Sequence, residues 1–260
     1  MAPIWNIPPP SLSLSNRDMH IWRADLNLPA IIIQKLAQTL STDETARAKR
    51  FRLEQDRRRF IAGRAILRII LGYYLSVEPG LMQFSYGKYG KPRLTDSPGN
   101  KGFYFSMSRS GGLALYGFTR DCSIGVDIER IRDIPEMDQI ARQFFSTREN
   151  AVLRALPESK KAKAFFNCWT RKEAFIKAIG KGLSQPLDRF DVSLIPGESA
   201  RLLRINGDSK RALSWSIQEL KPASGFVAAL AVKKRSWQLR CWQWVSRLPR
   251  LEHQKSVYRN

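Results

Sequence analysis

Two short stretches hold the residue types that could do chemistry. The first is Cys122-Ser-Ile-Gly-Val-Asp-Ile-Glu-Arg130. Read with the period of a strand, Ile124, Val126 and Ile128 point one way and Gly125, Asp127 and Glu129 the other. Two carboxylates then sit side by side on one face, beside a glycine that would leave room for a ligand. Like charges this close repel unless a cation lies between them. A site of oxygen donors alone favours Mg²⁺, with Mn²⁺ as the alternative. A solvent-facing strand with Arg130 nearby would show the same residues. The second stretch is Asn167-Cys-Trp-Thr-Arg-Lys-Glu-Ala-Phe-Ile-Lys-Ala-Ile-Gly-Lys-Gly182. Glu173 and Lys177 lie one helical turn apart, which fits either a surface ion pair or a buried pair that needs partners. The flanking Trp169, Phe175, Ile176 and Ile179 favour burial. Glu173 could then add a third carboxylate to the metal, and Lys177 could hold a phosphate.

Composition narrows the class. The chain has 260 residues with 44 Lys and Arg against 23 Asp and Glu, a net charge of +21. A hydrophobic content of 43% fits a folded chain rather than a disordered basic tail. Its partner should therefore carry negative charge: nucleic acid, an anionic membrane, a phosphate-bearing small molecule or an acidic protein. With 2 His and 3 Cys, and no Cys-x-x-Cys, zinc and thioredoxin-like chemistry are excluded. The separated cysteines fit a reducing compartment, no apolar run is long enough to cross a membrane, and the Pro-rich start is unlike a signal peptide. The cytoplasm is the expected location.

The elements that must position these residues follow from periodicity. Strands are expected over 20–26, 103–110, 113–120, 122–130, 189–195, 213–220, 226–232 and 239–245, the second and third joined as a hairpin by Gly111-Gly112. Helices are expected over 29–40, from a cap at Ser41 or Thr42, over 54–75, and across much of 133–181. Arg57, Arg64 and Arg68 fall on one side of the 54–75 helix and read as a solvated basic face. The segment 86–94 reads as a loop, residues 1–15 as irregular. The predicted class is α+β: two pseudo-symmetric α+β halves over 1–120 and 121–245 with the active site between them, and a basic flexible tail over 246–260.

The same motifs carry a resemblance. SIGVDIER followed by WTRKEAFIKAIGKGL, with Glu173 lying 46 residues after Asp127, resembles the two-part signature of the 4′-phosphopantetheinyl transferases. RFRLEQDRRRFIAGRAILRIILG, YGKYGKPRL, FSMSRSGG and GKGLSQPLDRFDV resemble further family segments, so that the likeness runs from about residue 40 to 195 and is to the long, surfactin-synthetase-activator type. It implies transfer of 4′-phosphopantetheine from coenzyme A to a serine of an apo-carrier protein, with release of 3′,5′-ADP. It also implies Mg²⁺ on Asp127, Glu129 and Glu173, and Lys177 on the pyrophosphate. Glu173 and Lys177 are the catalytic pair, with Glu173 as general base directly or through a water. Lys91 is implied near the nucleotide phosphates, Tyr89 and Gly90 beside the adenine, and Arg47, less strongly Arg64, at the 3′-phosphate. Ser108 matches the hairpin serine. Arg109 stands where the family usually has histidine, and is expected to bind the 3′-phosphate with help from the serines on either side. The expected partners are acidic carriers, without nucleic acid or membrane, and the expected state is a monomer. A Mg²⁺-dependent nuclease and a non-catalytic nucleic-acid-binding protein are the rival readings; neither needs the Gly-Lys-Pro loop or the Ser-Arg-Ser hairpin.

Overall fold

The computed structural model describes residues 4–95, 100–180, 182, 185–234 and 236–246. In chain order the elements are β1 (Trp5–Asn6), β2 (Asp18–Asp25), α1 (Ala30–Ala37), α2 (Thr42–Ala48), α3 (Glu54–Leu75), β3 (Phe84–Tyr86), β4 (Pro92–Leu94), β5 (Phe103–Ser110), β6 (Leu113–Arg120), β7 (Ile124–Arg130), α4 (Met137–Phe144), α5 (Thr147–Ala155), α6 (Glu158–Ile179), β8 (Phe190–Val192), β9 (Leu202–Ile205), α7 (Ser209–Ala212), β10 (Ser216–Leu220), β11 (Phe226–Val232) and β12 (Gln238–Gln243). The expected α+β class is what the chain adopts. The segment 86–94, read as a loop, is largely a small hairpin of β3 and β4. The tail lies outside the described residues except for Arg247's predecessor, Ser246.

Three apolar cores stack the molecule in layers. One face of a five-stranded sheet, ordered β1-β12-β2-β6-β5, packs through Trp22, Phe105, Tyr116 and Phe118 on α3, with Ala62, Ile66 and Ile70 opposite. Its other face meets a three-stranded sheet, β10-β11-β7, through Met19, Ile21 and Leu115 against Val126, Ile128 and Leu230. That second sheet turns Val227, Ala229 and Ala231 onto α6 with its Phe165, Ala174 and Phe175. The layers are thus helix, sheet, sheet, helix. β11 is buried on both faces, which is why its sequence, Phe-Val-Ala-Ala-Leu-Ala-Val, shows no polar alternation.

The chain does not divide cleanly at residue 121. β12, from the segment assigned to the second half, runs parallel to β2 in the first sheet. β1, in the stretch expected to be irregular, pairs with its other edge. The alternation of β12 marks it as a strand but carries no information on which sheet accepts it.

His20 is a structural residue. It is 1% exposed, and its Nδ1 lies 2.7 Å from the Tyr74 hydroxyl. That hydroxyl accepts from Trp22 Nε1 at 2.9 Å, so its own proton is available to His20 Nδ1. Burial, partly offset by Asp18, lowers the histidine pKa to about 4. The unfolded chain therefore takes up this proton first. The stabilising contribution is complete above about pH 6.5 and is lost as the pH falls toward 4, costing about 2–3 kcal/mol by pH 4.5. Urea unfolding at pH 7 and 4.5 should show a smaller acid loss in His20→Gln than in the parent; equal losses would contradict this.

Candidate active site

Where the two packed sheets meet, the edge strand β5 of the first lies along the edge strand β7 of the second, and this contact builds the site. Ser106, Ser108 and Ser110 alternate along β5, so all three face β7. Ser106 Oγ accepts from Val126 N at 3.1 Å and Ser110 Oγ from Arg130 N at 3.1 Å. Ser108 Oγ donates to Asp127 Oδ1 at 2.7 Å, and Ser110 Oγ to Glu129 Oε2 at 2.7 Å. Serine hydroxyls thus replace a backbone ladder between the two edges and orient both carboxylates. This also corrects the expectation that these serines assist Arg109. Their hydroxyls point to the opposite face of the strand.

On the other side of β7 lies α6. It begins after Pro157 and ends at Gly180, which takes the left-handed conformation at φ 70°. A side chain at Gly125 would collide with the carbonyl oxygen of Ala174 and the amide of Ala178. The glycine in Gly-Val-Asp-Ile-Glu therefore makes room for the helix backbone, not for a ligand as its sequence position suggested. That close approach brings Lys177 Nζ to 2.6 Å from Asp127 Oδ1 and 3.0 Å from Ser108 Oγ. Glu173, one turn earlier and half-buried, lies in the same field. Its pKa is raised, first by burial and then by Asp127 and Glu129, with Lys177 opposing. Glu129 is likewise raised by burial and by Asp127, while Ser110 opposes.

Among the described residues, no three His, Cys, Asp or Glu side chains are gathered closely enough to form a ready metal cage. Asp127 and Glu129 project from β7 and Glu173 from α6, close enough for both strand carboxylates to oppose the ionisation of Glu173, and the Lys177 ammonium sits on Asp127. The donor set nonetheless fits a hard divalent cation. Asp127 Oδ2 is buried with no hydrogen-bond partner among the described residues, and burial with the neighbouring carboxylates opposes the ionisation of Glu173 and, against Ser110 and Arg132, of Glu129, which a cation among them would relieve.

The cleft opens into a cavity of about 510 Å³ between the halves, walled by Tyr89, Lys91 and Met107 on one side and by Glu173, Ile176 and Lys177 on the other. Gly90 and Ser106 also line it. Lys91 is committed differently from expectation. Its ammonium donates to Ile124 O at 3.1 Å and Lys177 O at 2.6 Å, tying the β3–β4 hairpin to β7 and to the last turn of α6. Burial, then Arg93 and Lys177, lower its pKa to about 8.

Arg47 and Arg109 converge outside the cavity. Both guanidiniums lie over the Phe60 ring, each 5.5 Å from its centroid, and that of Arg109 is also 5.9 Å from Phe51. Among the described residues neither pairs with a carboxylate. Arg109 is exposed as a residue, and desolvation of its guanidinium against the protein, with Arg47 and Arg64 nearby, lowers its pKa. Arg64 is not part of this open cluster. It is 7% exposed, and its Nε donates to Glu44 Oε1 at 2.7 Å. Arg68 is buried beside it on Glu44 Oε2 at 2.6 Å. The face read as a solvated basic one is therefore an ion-paired interior, except for Arg57, which pairs at the surface with Glu54.

Sequence reasoning passed over Lys172, next to Glu173. It is fully buried and donates to Leu187 O at 2.7 Å and Phe190 O at 2.6 Å. It also pairs with Glu149 at 2.7 Å. It holds the segment after α6 onto the helix. A lysine inside so apolar a stretch was the available signal.

Residues 123–231 match the model of the 4′-phosphopantetheinyl transferase superfamily, and residues 31–117 that of the 4′-phosphopantetheinyl transferase N-terminal domain. The 4′-phosphopantetheinyl transferase HetI of Nostoc sp. is 43% identical over 240 residues, covering 92% of this chain and 98% of its own. The chain belongs to the 4′-phosphopantetheinyl transferase family. The transferase is also similar to Sfp of Bacillus subtilis, 32% identical over 62% of this chain and 69% of Sfp. The human L-aminoadipate-semialdehyde dehydrogenase-phosphopantetheinyl transferase is 26% identical over 76% of this chain and 68% of its own. The two family models fall on the two sides of the cleft, so the transferase is of the long type, with both halves in one chain. No helix among the described residues is long and apolar enough to cross a membrane.

Proposed function

We propose that this transferase moves 4′-phosphopantetheine from coenzyme A to the serine hydroxyl of an acidic apo-carrier domain, with a divalent metal, and releases 3′,5′-ADP. The observation that carries this reading is the approach of α6 to β7, which sets Lys177 on Asp127 and Glu173 in the field of Asp127 and Glu129. In this reading Asp127, Glu129 and Glu173 hold Mg²⁺, or Mn²⁺ in its place. The ion supplies charge neutralisation at the pyrophosphate. Lys177, already on Asp127, shares the charge that develops on the leaving phosphate. Glu173 takes the proton of the attacking serine. The 510 Å³ cavity beside Tyr89 and Gly90 takes the adenine. Lys91 positions α6 and the hairpin and meets the phosphates from the cavity wall.

The pair of guanidiniums over Phe60 is assigned the 3′-phosphate. Arg109 keeps its charge at every working pH, where histidine would lose it near pH 6.5. Arg109→Ala should raise KM for coenzyme A about tenfold or more and leave KM for dephospho-coenzyme A nearly unchanged, since that ligand lacks the 3′-phosphate. Equal effects on both ligands, or on neither, would place Arg109 outside the site. A net charge of +21 supports an acidic partner met at a salt-dependent rate. The reading has the enzyme acting as a cytoplasmic monomer, with neither nucleic acid nor membrane as its partner. It is tested by incubating enzyme, coenzyme A and apo-carrier with and without Mg²⁺ and following 3′,5′-ADP. One equivalent of 3′,5′-ADP per carrier, only with metal, is expected; metal-independent release, or none, would overturn it.

A further inference from the structure

α2 bears Arg47, yet it is a helix of seven residues whose only buried side chains are Glu44 and Ala48. A helix this short has little stability of its own and depends on what fastens it. The fastening is a carboxylate. Glu44 is 2% exposed. Its Oε1 accepts from Arg64 Nε at 2.7 Å and its Oε2 from Arg68 Nε at 2.6 Å, both on α3. Oε2 also accepts from Ser41 N at 3.2 Å, closing the start of α2.

The two arginines carry the connection onward. Arg64 Nη2 donates to the Tyr86 hydroxyl at 3.1 Å, on β3 immediately before the turn that presents Tyr89, Gly90 and Lys91. Arg68 Nη1 donates to Pro79 O and Met82 O, each at 2.9 Å, in the approach to β3. Both guanidiniums stack on Phe84 of β3, at 4.7 and 5.1 Å from its centroid. One buried carboxylate therefore lies between the helix that offers Arg47 and the hairpin that walls the cavity.

We infer that Glu44 is a positioning residue for coenzyme A: through Arg64 and Arg68 it fixes the Arg47 helix and the Tyr89–Lys91 turn relative to each other. The inference rests on the assignment of the 3′-phosphate to Arg47 and Arg109. Glu44 touches no part of the substrate. Its loss leaves two buried guanidiniums without their shared counter-charge, so α2 and the hairpin move apart. The chemistry at Glu173 and Lys177, on the other half, is untouched.

The test compares Glu44→Gln with Tyr86→Phe, Arg47→Ala and a control, Leu71→Ala, which opens a cavity in the α3 core. Rates are normalised to the folded fraction. Glu44→Gln should raise KM for coenzyme A about tenfold and lower the preference for coenzyme A over dephospho-coenzyme A about fivefold, with kcat at saturation within about twofold of the parent. Tyr86→Phe, which removes one hydrogen bond from Arg64 to the hairpin and leaves the stacking on Phe84 and the fold in place, should raise KM for both ligands by the same two- to threefold. Leu71→Ala should be less stable yet keep the parental preference. If Arg47→Ala abolishes the preference while Glu44→Gln and Tyr86→Phe keep the parental KM for both ligands, the inference is overturned alone. If Arg47→Ala also keeps the parental preference, the phosphate assignment fails and the inference falls with it.

Discussion

Glu173→Gln should lower kcat/KM for carrier modification by about 10²–10⁴-fold while the protein folds as before. The side chain is half-buried on α6 and makes no hydrogen bond or ion pair among the described residues. The substitution removes a carboxylate whose ionisation is opposed by burial and then by Asp127 and Glu129. The melting temperature should accordingly be unchanged or slightly higher. Both roles open to Glu173, metal ligand and proton acceptor, require its negative charge, and Gln keeps the shape but supplies neither. Steady-state kinetics with a thermal melt checks this. Activity within tenfold of the parent, in a folded protein, would remove Glu173 from the chemistry.

Gly125→Ala should damage both stability and activity. The added methyl would meet the Ala174 carbonyl oxygen and the Ala178 amide, which are helix backbone and cannot rotate aside. α6 must then retreat from β7. Overpacking costs about 1–3 kcal/mol, and more where rigid backbone is struck, and the retreat separates Lys177 from Asp127, now 2.6 Å apart. Activity per folded molecule should therefore fall at least about 100-fold, beyond any loss of folded protein. Gly80→Ala is the matching control, because a methyl there meets nothing within 4 Å; it should leave both quantities unchanged. A Gly125→Ala protein with parental stability would show that β7 and α6 are not held as closely as described.

The local periods of the chain disclosed most of the elements and the two sides of the cleft. The alternation in Ile124–Arg130 separates the apolar face from Asp127 and Glu129, and the helical spacing of Glu173 and Lys177 puts both on one side of α6. What the sequence hides is what each polar group faces across space. Arg64 and Arg68 look like a solvated stripe because their counter-charge, Glu44, lies on another helix. Gly125 looks like room for a ligand because the helix it admits begins 33 residues later. Ser108 and Ser110 flank Arg109 in sequence but point away from it, a consequence of strand geometry that reading the residues as a cluster overlooks. The place of β12 in the first sheet depends on a contact between residues more than 200 positions apart.

The most direct measurement is the intact mass of apo-carrier domains from fatty acid, polyketide and peptide synthesis after incubation with the transferase, coenzyme A and Mg²⁺. At least one carrier should gain the mass of a single phosphopantetheine arm on its serine, and Asp127→Ala and Glu173→Gln should fail to add it under the same conditions. Unmodified carriers of all three kinds with the folded parent enzyme, or modification by Glu173→Gln as fast as by the parent, would contradict the assignment of this cleft.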